Sequence, residues 1–279
     1  MHLTKSAPLA LAFALLTGTS AIAQQRVLDY YADFDAGPLA AWETLIENVR
    51  HGSVCSLAMV GGGAAGVEML LAMQYRLSQL RLPQTLRYVL VTDTLQLLPQ
   101  HARGVRAALT RSLARKQIEV HCATRITRVE ARTLIADNGA RIAADAIFLA
   151  TGAACPPWLQ ASGLALNNNK FININKYLKS SSHAQVFAVG DCATIQGATY
   201  PKSGVYAVRQ GPPLAENLRR YLRGEALLEY TPQARALALI STGEAHAIAS
   251  WGPLSCHGNW VWRWKDQIDR AFMAKYRVP

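Results

Sequence analysis

The stretch Val60-Gly61-Gly62-Gly63-Ala64-Ala65-Gly66-Val67-Glu68 has the G-x-G-x-x-G spacing of a turn built to hold an anion. It is entered from the apolar run Ser56 to Val60 and left through good helix formers from Ala64 to Leu80. In such a strand–turn–helix, Gly61 permits the tight turn and Gly62 lets the backbone approach a pyrophosphate. Gly63 completes the loop, and Gly66 lets the helix pack closely on its strand. The pyrophosphate then meets free N–H groups and the positive end of the helix dipole. The reading is therefore a dinucleotide-binding turn, and the alternative is a structural glycine loop.

The elements around the turn agree with the first reading. Tyr88 to Val91 form a second apolar strand that ends at Thr92-Asp93. A carboxylate at that strand end accepts from a ribose hydroxyl. Asp93 lies somewhat further from Gly66 than the usual spacing of about 20 residues. No arginine follows it directly to hold a 2′-phosphate, so NADH is favoured over NADPH. The competing role is a solvated strand-end acid.

With 279 residues, 51% of them hydrophobic, the chain has enough apolar material for a large core in one or two domains. That excludes a disordered chain. The net charge of +11 speaks of partners rather than fold, with nucleic acid, anionic membranes or acidic substrates as classes. No nucleic-acid recognition motif accompanies it, and the arginines fall mostly on helical stretches such as Arg103 to Lys116 and Arg219 to Arg223. Solvated helix faces and no nucleic-acid partner are expected. Cys55, Cys122, Cys155, Cys192 and Cys256 are odd in number, and no two make a C-x-x-C pair. Small buried hydrophobes in a reducing space are expected, with no metal cluster and no thiol in the chemistry.

Residues 1–23 carry Lys5, the apolar run Leu9 to Leu16 and Ala21-Ile22-Ala23, the layout of a secretory signal or of a divergent start. Export is one reading. A cytosolic cofactor and free cysteines favour the other, a cytoplasmic protein, with peripheral contact to the inner membrane. Residues 24–55 then read as a connecting helical segment and 56–149 as a Rossmann-like unit. Within 56–149, short strands around Ile118–His121, Thr127–Glu130 and Thr133–Ala136 precede an Asp137-Asn138-Gly139 turn into Arg141-Ile142. Residues 150–235 hold expected strands at Lys170–Ile174 and Val186–Val189. Their helix, from about Val205 to Leu222, is expected to break near Gly211-Pro212-Pro213. Residues 236–279 read as a hairpin and an aromatic basic helix.

Ala150-Thr151-Gly152 and Val189-Gly190-Asp191 resemble the two hallmark sequences of two-dinucleotide-binding flavoproteins, the pyridine nucleotide-disulfide oxidoreductase superfamily. The resemblance implies an α/β fold, a Rossmann-like NAD-binding domain followed by part of a FAD-binding domain. It places Thr151 and Gly152 at the crossing between the two, and Gly190 and Asp191 on the ribityl hydroxyls of FAD. A helix N-cap is the other role for Asp191. Pro201-Lys202-Ser203-Gly204-Val205, Ala207-Val208-Arg209-Gln210-Gly211 and Trp260-Val261-Trp262-Arg263-Trp264-Lys265 are similar to type II NADH dehydrogenases. They most resemble the flavoproteins found fused to, or encoded near, selenide water dikinase. That resemblance puts Lys202, Gly204 and Gln210 near the isoalloxazine ring and Glu68 toward the nicotinamide. A surface lysine and a helix-surface glutamate are the plain alternatives.

One departure stands against these matches. The glycines before Gly61 are Gly18, Gly37 and Gly52, so no first glycine turn for the FAD diphosphate is seen. Two explanations are open: a truncated relative, or a second polypeptide that supplies the missing half. The expected activity is hydride transfer from NADH through FAD to an acceptor the sequence does not name, with quinone the implied class. No catalytic side chain is required. The alternative is a non-catalytic remnant that binds NADH but not FAD.

Overall fold

The computed structural model describes residues 37–80, 82 and 84–275, so the signal-like segment 1–23 and Arg277 of the basic tail lie outside it. Helix α1 (Gly37–Arg50) leads into β1 (Ser56–Val60) and then α2 (Ala64–Ser78). β2 (Arg87–Val91), α3 (Arg103–Arg115), β3 (Glu119–His121) and β7 (Ala146–Leu149) complete a four-stranded sheet of order β3-β2-β1-β7. All its pairings are parallel. Parallel strands are covered on both faces and so read as unbroken apolar runs, which SLAMV and RYVLV show.

Alternate residues of β1 go to opposite layers. Leu57 and Met59 join Leu70, Leu71 and Leu77 of α2 and Val105 and Leu109 of α3 in the larger core. Ala58 and Val60 face Leu134, Ile142 and Ala144 in a second core. These come from the antiparallel meander β4 (Ile126–Glu130), β5 (Thr133–Ala136) and β6 (Arg141–Ala143) and the turn that follows it. At the far end of the sheet from the glycine turn, Asp145 Oδ2 accepts from Cys55 N at 2.9 Å, Ser56 N at 3.0 Å and Ser56 Oγ at 2.8 Å. These bonds, the Cys55 N–H foremost, hold the Asp145 carboxyl below its ordinary value and fix β7 against β1.

The second region departs from expectation twice. β8 (Ile172–Ile174) pairs in parallel with β9 (Ala193–Ile195), whereas Val186–Val189, expected as a strand, makes among the described residues an isolated bridge between Phe187 and Lys179. Helix α4 (Gly204–Arg223) runs unbroken through Pro212 and Pro213. The carbonyls the two prolines cannot serve belong to Val208 and Arg209, both exposed, so water can satisfy them. Buried anchors on either side hold the helix as one piece: Gln210 accepts from Gly190 N at 2.6 Å, and Asn217 donates to Tyr177 O and Leu228 O at 2.9 Å.

The last region is a three-stranded meander rather than a hairpin: β10 (Ala238–Ser241), β11 (Ala247–Trp251) and β12 (Leu254–Gly258), followed by α5 (Asn259–Ala274). It docks on the parallel sheet's helices, and Ile240 and Ile248 join the larger core. The cysteines follow expectation only in part. Cys122, Cys155 and Cys192 are half-buried, whereas Cys55 and Cys256 are exposed, and all five are free.

Candidate dinucleotide site

The glycine turn is shaped by three close approaches. A Cβ on Gly61, whose φ is +133°, would lie 2.1 Å from Ala150 O. One on Gly66 would lie 2.1 Å from Gly61 O, and one on Gly62 would lie 2.7 Å from Thr92 Oγ1. Gly62 therefore serves first to seat the turn against the end of β2. Gly63 is the exception, since a Cβ there meets nothing within 4 Å. It is the exposed N-cap of α2, and no side chain caps that helix. Free N–H groups at an uncapped helix start, above open space, fit a pyrophosphate.

The chain after β2 is fastened to the same turn. Leu98 N–H donates to Gly62 O at 3.0 Å, and Thr92 Oγ1 pairs with Thr94 Oγ1 at 2.8 Å. Between them Asp93 stands exposed at the strand end. A pinned loop carrying a free carboxylate beside the turn suits a ribose diol. Thr92 and Leu98 were not legible as site residues, because their part is a main-chain and packing one. Thr151 and Gly152 follow β7 as exposed residues, and Ala150 N–H donates to Val60 O at 2.8 Å.

The remaining candidates gather in a second group. Gly190, Asp191, Lys202 and Gln210 line one narrow cleft with Tyr200 and Tyr206. Gly190, at φ +71°, packs against Ala207, and its N–H is held by the fully buried Gln210. Asp191 is exposed. Lys202 turns inward: it donates to Ala193 O and lies 4.4 Å from the centroid of the Phe171 ring. Burial lowers its pKa, against the pull of Asp191. Phe171 and Tyr200, the aromatic walls around this lysine, carry no motif and were missed. Gly204 begins α4 and is exposed beside the cleft.

Glu68 belongs to neither group. Its Oε1 accepts from Ser241 N at 2.7 Å and lies 3.6 Å from Lys265 Nζ. Burial raises its pKa, and Lys265 opposes the rise. The residue bridges α2 to the C-terminal region.

The cleft beside Gly190 leaves no room for a water molecule, whereas typical cofactor sites measure roughly 300–1,000 Å³. For a dinucleotide such as NAD, the turn, an open helix start and an exposed strand-end carboxylate are all present. The FAD fit is partial: Gly190 and Asp191 are available, while Lys202 and Gln210 are engaged within the protein.

At 28% identity over 221 residues, the chain matches ferroptosis suppressor protein 1 of Xenopus tropicalis, covering 76% of this chain and 57% of that one. It matches the type II NADH:quinone oxidoreductase of Haemophilus influenzae at 29% over 240 residues, covering 80% and 52%. The chain thus spans little more than half the length of these relatives. In fold it is similar to the sulfide:quinone oxidoreductase of Aquifex aeolicus, with a TM-score of 0.67 at 16% identity over 85% of this chain and 61% of that one. It is also similar to a FAD-dependent pyridine nucleotide-disulphide oxidoreductase of Desulfovibrio vulgaris, at TM-score 0.56 and 22% identity, covering 77% and 53%. The sequence pattern of one family, described as pyridine nucleotide-disulphide oxidoreductase, fits residues 28–211. The family to which this chain belongs is the pyridine nucleotide-disulphide oxidoreductases, whose members use FAD and NAD(P)H.

Proposed function

We propose that this chain binds NADH at the Gly61–Gly66 turn and takes part in passing its electrons, by way of a flavin, to an acceptor of the quinone class. The observation that carries the reading is the uncapped α2 start at Gly63, open to solvent and flanked by the free carboxylate of Asp93. The turn would bind the pyrophosphate, Asp93 would hold the adenosine ribose, and the closed contact of Gly61 with Ala150 would keep the two motifs in register. A bound flavin supplies the step between a two-electron hydride donor and a quinone. Toward that group the chain offers Asp191 as ribityl acceptor and Gly190 for close approach, in line with the FAD-dependent relative. The quinone class rests on the names of the Haemophilus influenzae and Aquifex aeolicus relatives.

A membrane surface is the natural place to meet such an acceptor. Among the described residues no helix is long and apolar enough to cross a membrane. Helix α5 instead shows exposed Trp260, Trp264 and Ile268 beside Arg263 and Arg270, a combination suited to a headgroup interface.

A second reading, a nucleotide-binding module without turnover, is favoured by one observation, the inward-turned Lys202 in a small cleft. Flavin absorbance of the purified protein and calorimetric titration with NADH separate the two. NADH affinity with flavin present supports the oxidoreductase, and NADH affinity with no flavin supports the module. No NADH affinity removes both.

A further inference from the structure

The loops that follow β2 and β3 are bonded to each other at the end of the sheet that carries the glycine turn, where Gly61 N–H donates to Val91 O at 2.8 Å. Thr92 N–H donates to His121 O at 2.9 Å, and Thr124 N–H donates back to Thr92 O at 2.8 Å. Ala123 N–H adds a third bond, to Thr94 O at 2.8 Å. Asp93 and Arg125 therefore each lie one residue beyond the Thr124–Thr92 bond. The Arg125 carbonyl is fixed from its other side, accepting from Asp137 N at 2.9 Å. Both residues are exposed. A pinned backbone thus presents a guanidinium on a long stem beside the carboxylate of Asp93.

Leu95, in the same loop, is 88% exposed. Its surroundings are nevertheless held at both ends, by Ala123 N–H on Thr94 O and by Leu98 N–H on Gly62 O at 3.0 Å. An apolar side chain, a carboxylate and a guanidinium thus stand together on fixed main chain. Leu95 suits the face of an adenine ring, and Asp93 suits a ribose hydroxyl. The ribose of NADH offers no anion to the cation that remains. A phosphate on the ribose 2′-oxygen does, and Arg125 offsets the repulsion that Asp93 alone would impose on it. An arginine directly after β2 is the sequence sign of such a site, and this chain has none there. The fold brings one in from the loop after β3 instead.

We propose that Arg125 is a specificity-determining residue of the dinucleotide site: it binds the ribose 2′-phosphate of NADPH beside Asp93, so the chain accepts NADPH as well as NADH. The guanidinium stays charged at every working pH, and its fork of N–H donors matches phosphate oxygens two at a time. With NADH, Asp93 accepts from the free hydroxyls and Arg125 remains in solvent. With NADPH, the ion pair to Arg125 takes the place of one of those hydrogen bonds. The proposal rests on the assignment of the dinucleotide to the Gly61–Gly66 turn and deepens it.

The test is titration calorimetry of the full chain with NADH and with NADPH, in the parent, Arg125→Gln and Arg125→Lys. The parent is expected to bind both nucleotides. Arg125→Gln should lose about tenfold or more in NADPH affinity, the worth of a charge-assisted contact, while NADH affinity stays within about twofold. Arg125→Lys should recover part of the loss, because the charge returns without the fork. The melts should match the parent's, since the position is exposed. A parent that binds NADH but not NADPH overturns the proposal. So does NADPH affinity that Arg125→Gln leaves unchanged, or a loss that NADH shares equally, since the guanidinium then stacks on the adenine of either nucleotide. In each of these results NADH binding by the parent leaves the glycine turn standing. A parent without NADH affinity removes the turn assignment itself, and this proposal with it.

Discussion

Gly61 and Ala150 are in such close contact that the first glycine turn and the end of β7 form one object: a Cβ on Gly61 would lie 2.1 Å from the Ala150 carbonyl oxygen. Ala150 N–H returns the contact by donating to Val60 O at 2.8 Å. The turn that would hold the dinucleotide and the crossing into the second region therefore cannot move independently.

Gly61→Ala should consequently damage the fold rather than the affinity. The residue sits at φ +133°, where a side chain is strained, and the clash is with backbone, which cannot rotate away. Strain and overpacking together amount to about 2–5 kcal/mol, so a large drop in melting temperature is expected by calorimetry. An unchanged melt would mean that the turn is not packed in this way.

Gly63→Asp should do the reverse. A Cβ there meets nothing within 4 Å, and aspartate is a good N-cap, so stability should hold or rise by a few tenths of a kcal/mol. The new carboxylate would occupy and repel the place of the pyrophosphate. NADH affinity should fall by about tenfold or more in titration calorimetry. Retained affinity in this variant would move the dinucleotide away from the α2 start.

Asp93 should set the choice between NADH and NADPH. A charge-assisted hydrogen bond contributes about 1.5–3 kcal/mol, so Asp93→Ala should lose roughly tenfold to a hundredfold in NADH affinity. NADPH affinity should not fall in parallel, because the removed charge repels its extra phosphate. Asp93 is exposed, so the melt should not change. Equal losses for both nucleotides would assign Asp93 to another task.

Much of this was legible in the sequence because local chemistry and tertiary role coincide. The runs SLAMV and RYVLV, the glycine spacing and the Asp137-Asn138-Gly139 turn each name their element, and Gly139 takes the φ of +83° its place requires. What escaped was decided by partners distant in sequence. Pro212 and Pro213 read as a break, yet Gln210 and Asn217 tie both halves of α4 to Gly190, Tyr177 and Leu228. Val186–Val189 has strand composition, yet among the described residues it makes one isolated bridge, between Phe187 and Lys179, and composition cannot reveal which neighbours a segment finds. Glu68 looked like a surface or nicotinamide residue because Ser241 and Lys265, its partners, lie far along the chain.

Glu68→Ala should loosen the C-terminal region. The Ser241 N–H loses its acceptor and Lys265 keeps only Asp269, 3.6 Å away. The donor is only half-buried, so the loss should stay below the roughly 1–3 kcal/mol of a fully buried one; the melt should fall modestly and exchange in β10 and α5 should rise. NADH affinity should stay within about twofold. A tenfold loss of affinity without a change in melt would return Glu68 to the nucleotide.

His246 should make the turn between β10 and β11 acid-sensitive. Its Nδ1 lies 2.7 Å from Thr242 Oγ1, and the same hydroxyl lies 3.2 Å from the His246 carbonyl oxygen. Burial foremost, then His257, Arg115 and Lys116, lower its pKa below 6.5, while Glu244 opposes them. The unfolded chain thus takes up the proton more readily than the folded one. Stability is full above pH 6.5, declines as pH falls from 6.5 toward the lowered folded value, and levels below it. His246→Gln should remove that decline from a series of thermal melts, and a parallel decline in parent and variant would place the acid sensitivity elsewhere.

The last prediction concerns α5, whose tryptophans divide between two faces. Val261 is fully buried and Trp262 packs beside it, whereas Trp260 and Trp264 are 56% and 38% exposed. Trp260, Trp264 and Ile268 recur at four-residue spacing and so share one outward stripe, with Arg263 and Arg270 also exposed. Deleting the helix would also strip Val261 and Lys265 from the meander and α2, so a truncated chain would confuse unfolding with lost binding. Replacing Trp260, Trp264 and Ile268 together by serine touches only the outward stripe. The melt should hold, since surface substitutions away from packed contacts usually change stability by less than about 0.5 kcal/mol. Co-sedimentation with anionic liposomes should fall steeply, because the apolar anchor is gone while the basic residues remain. Equal pelleting of parent and variant would show that charge alone holds the chain to lipid, and a collapsed melt would show that the stripe is packed rather than free.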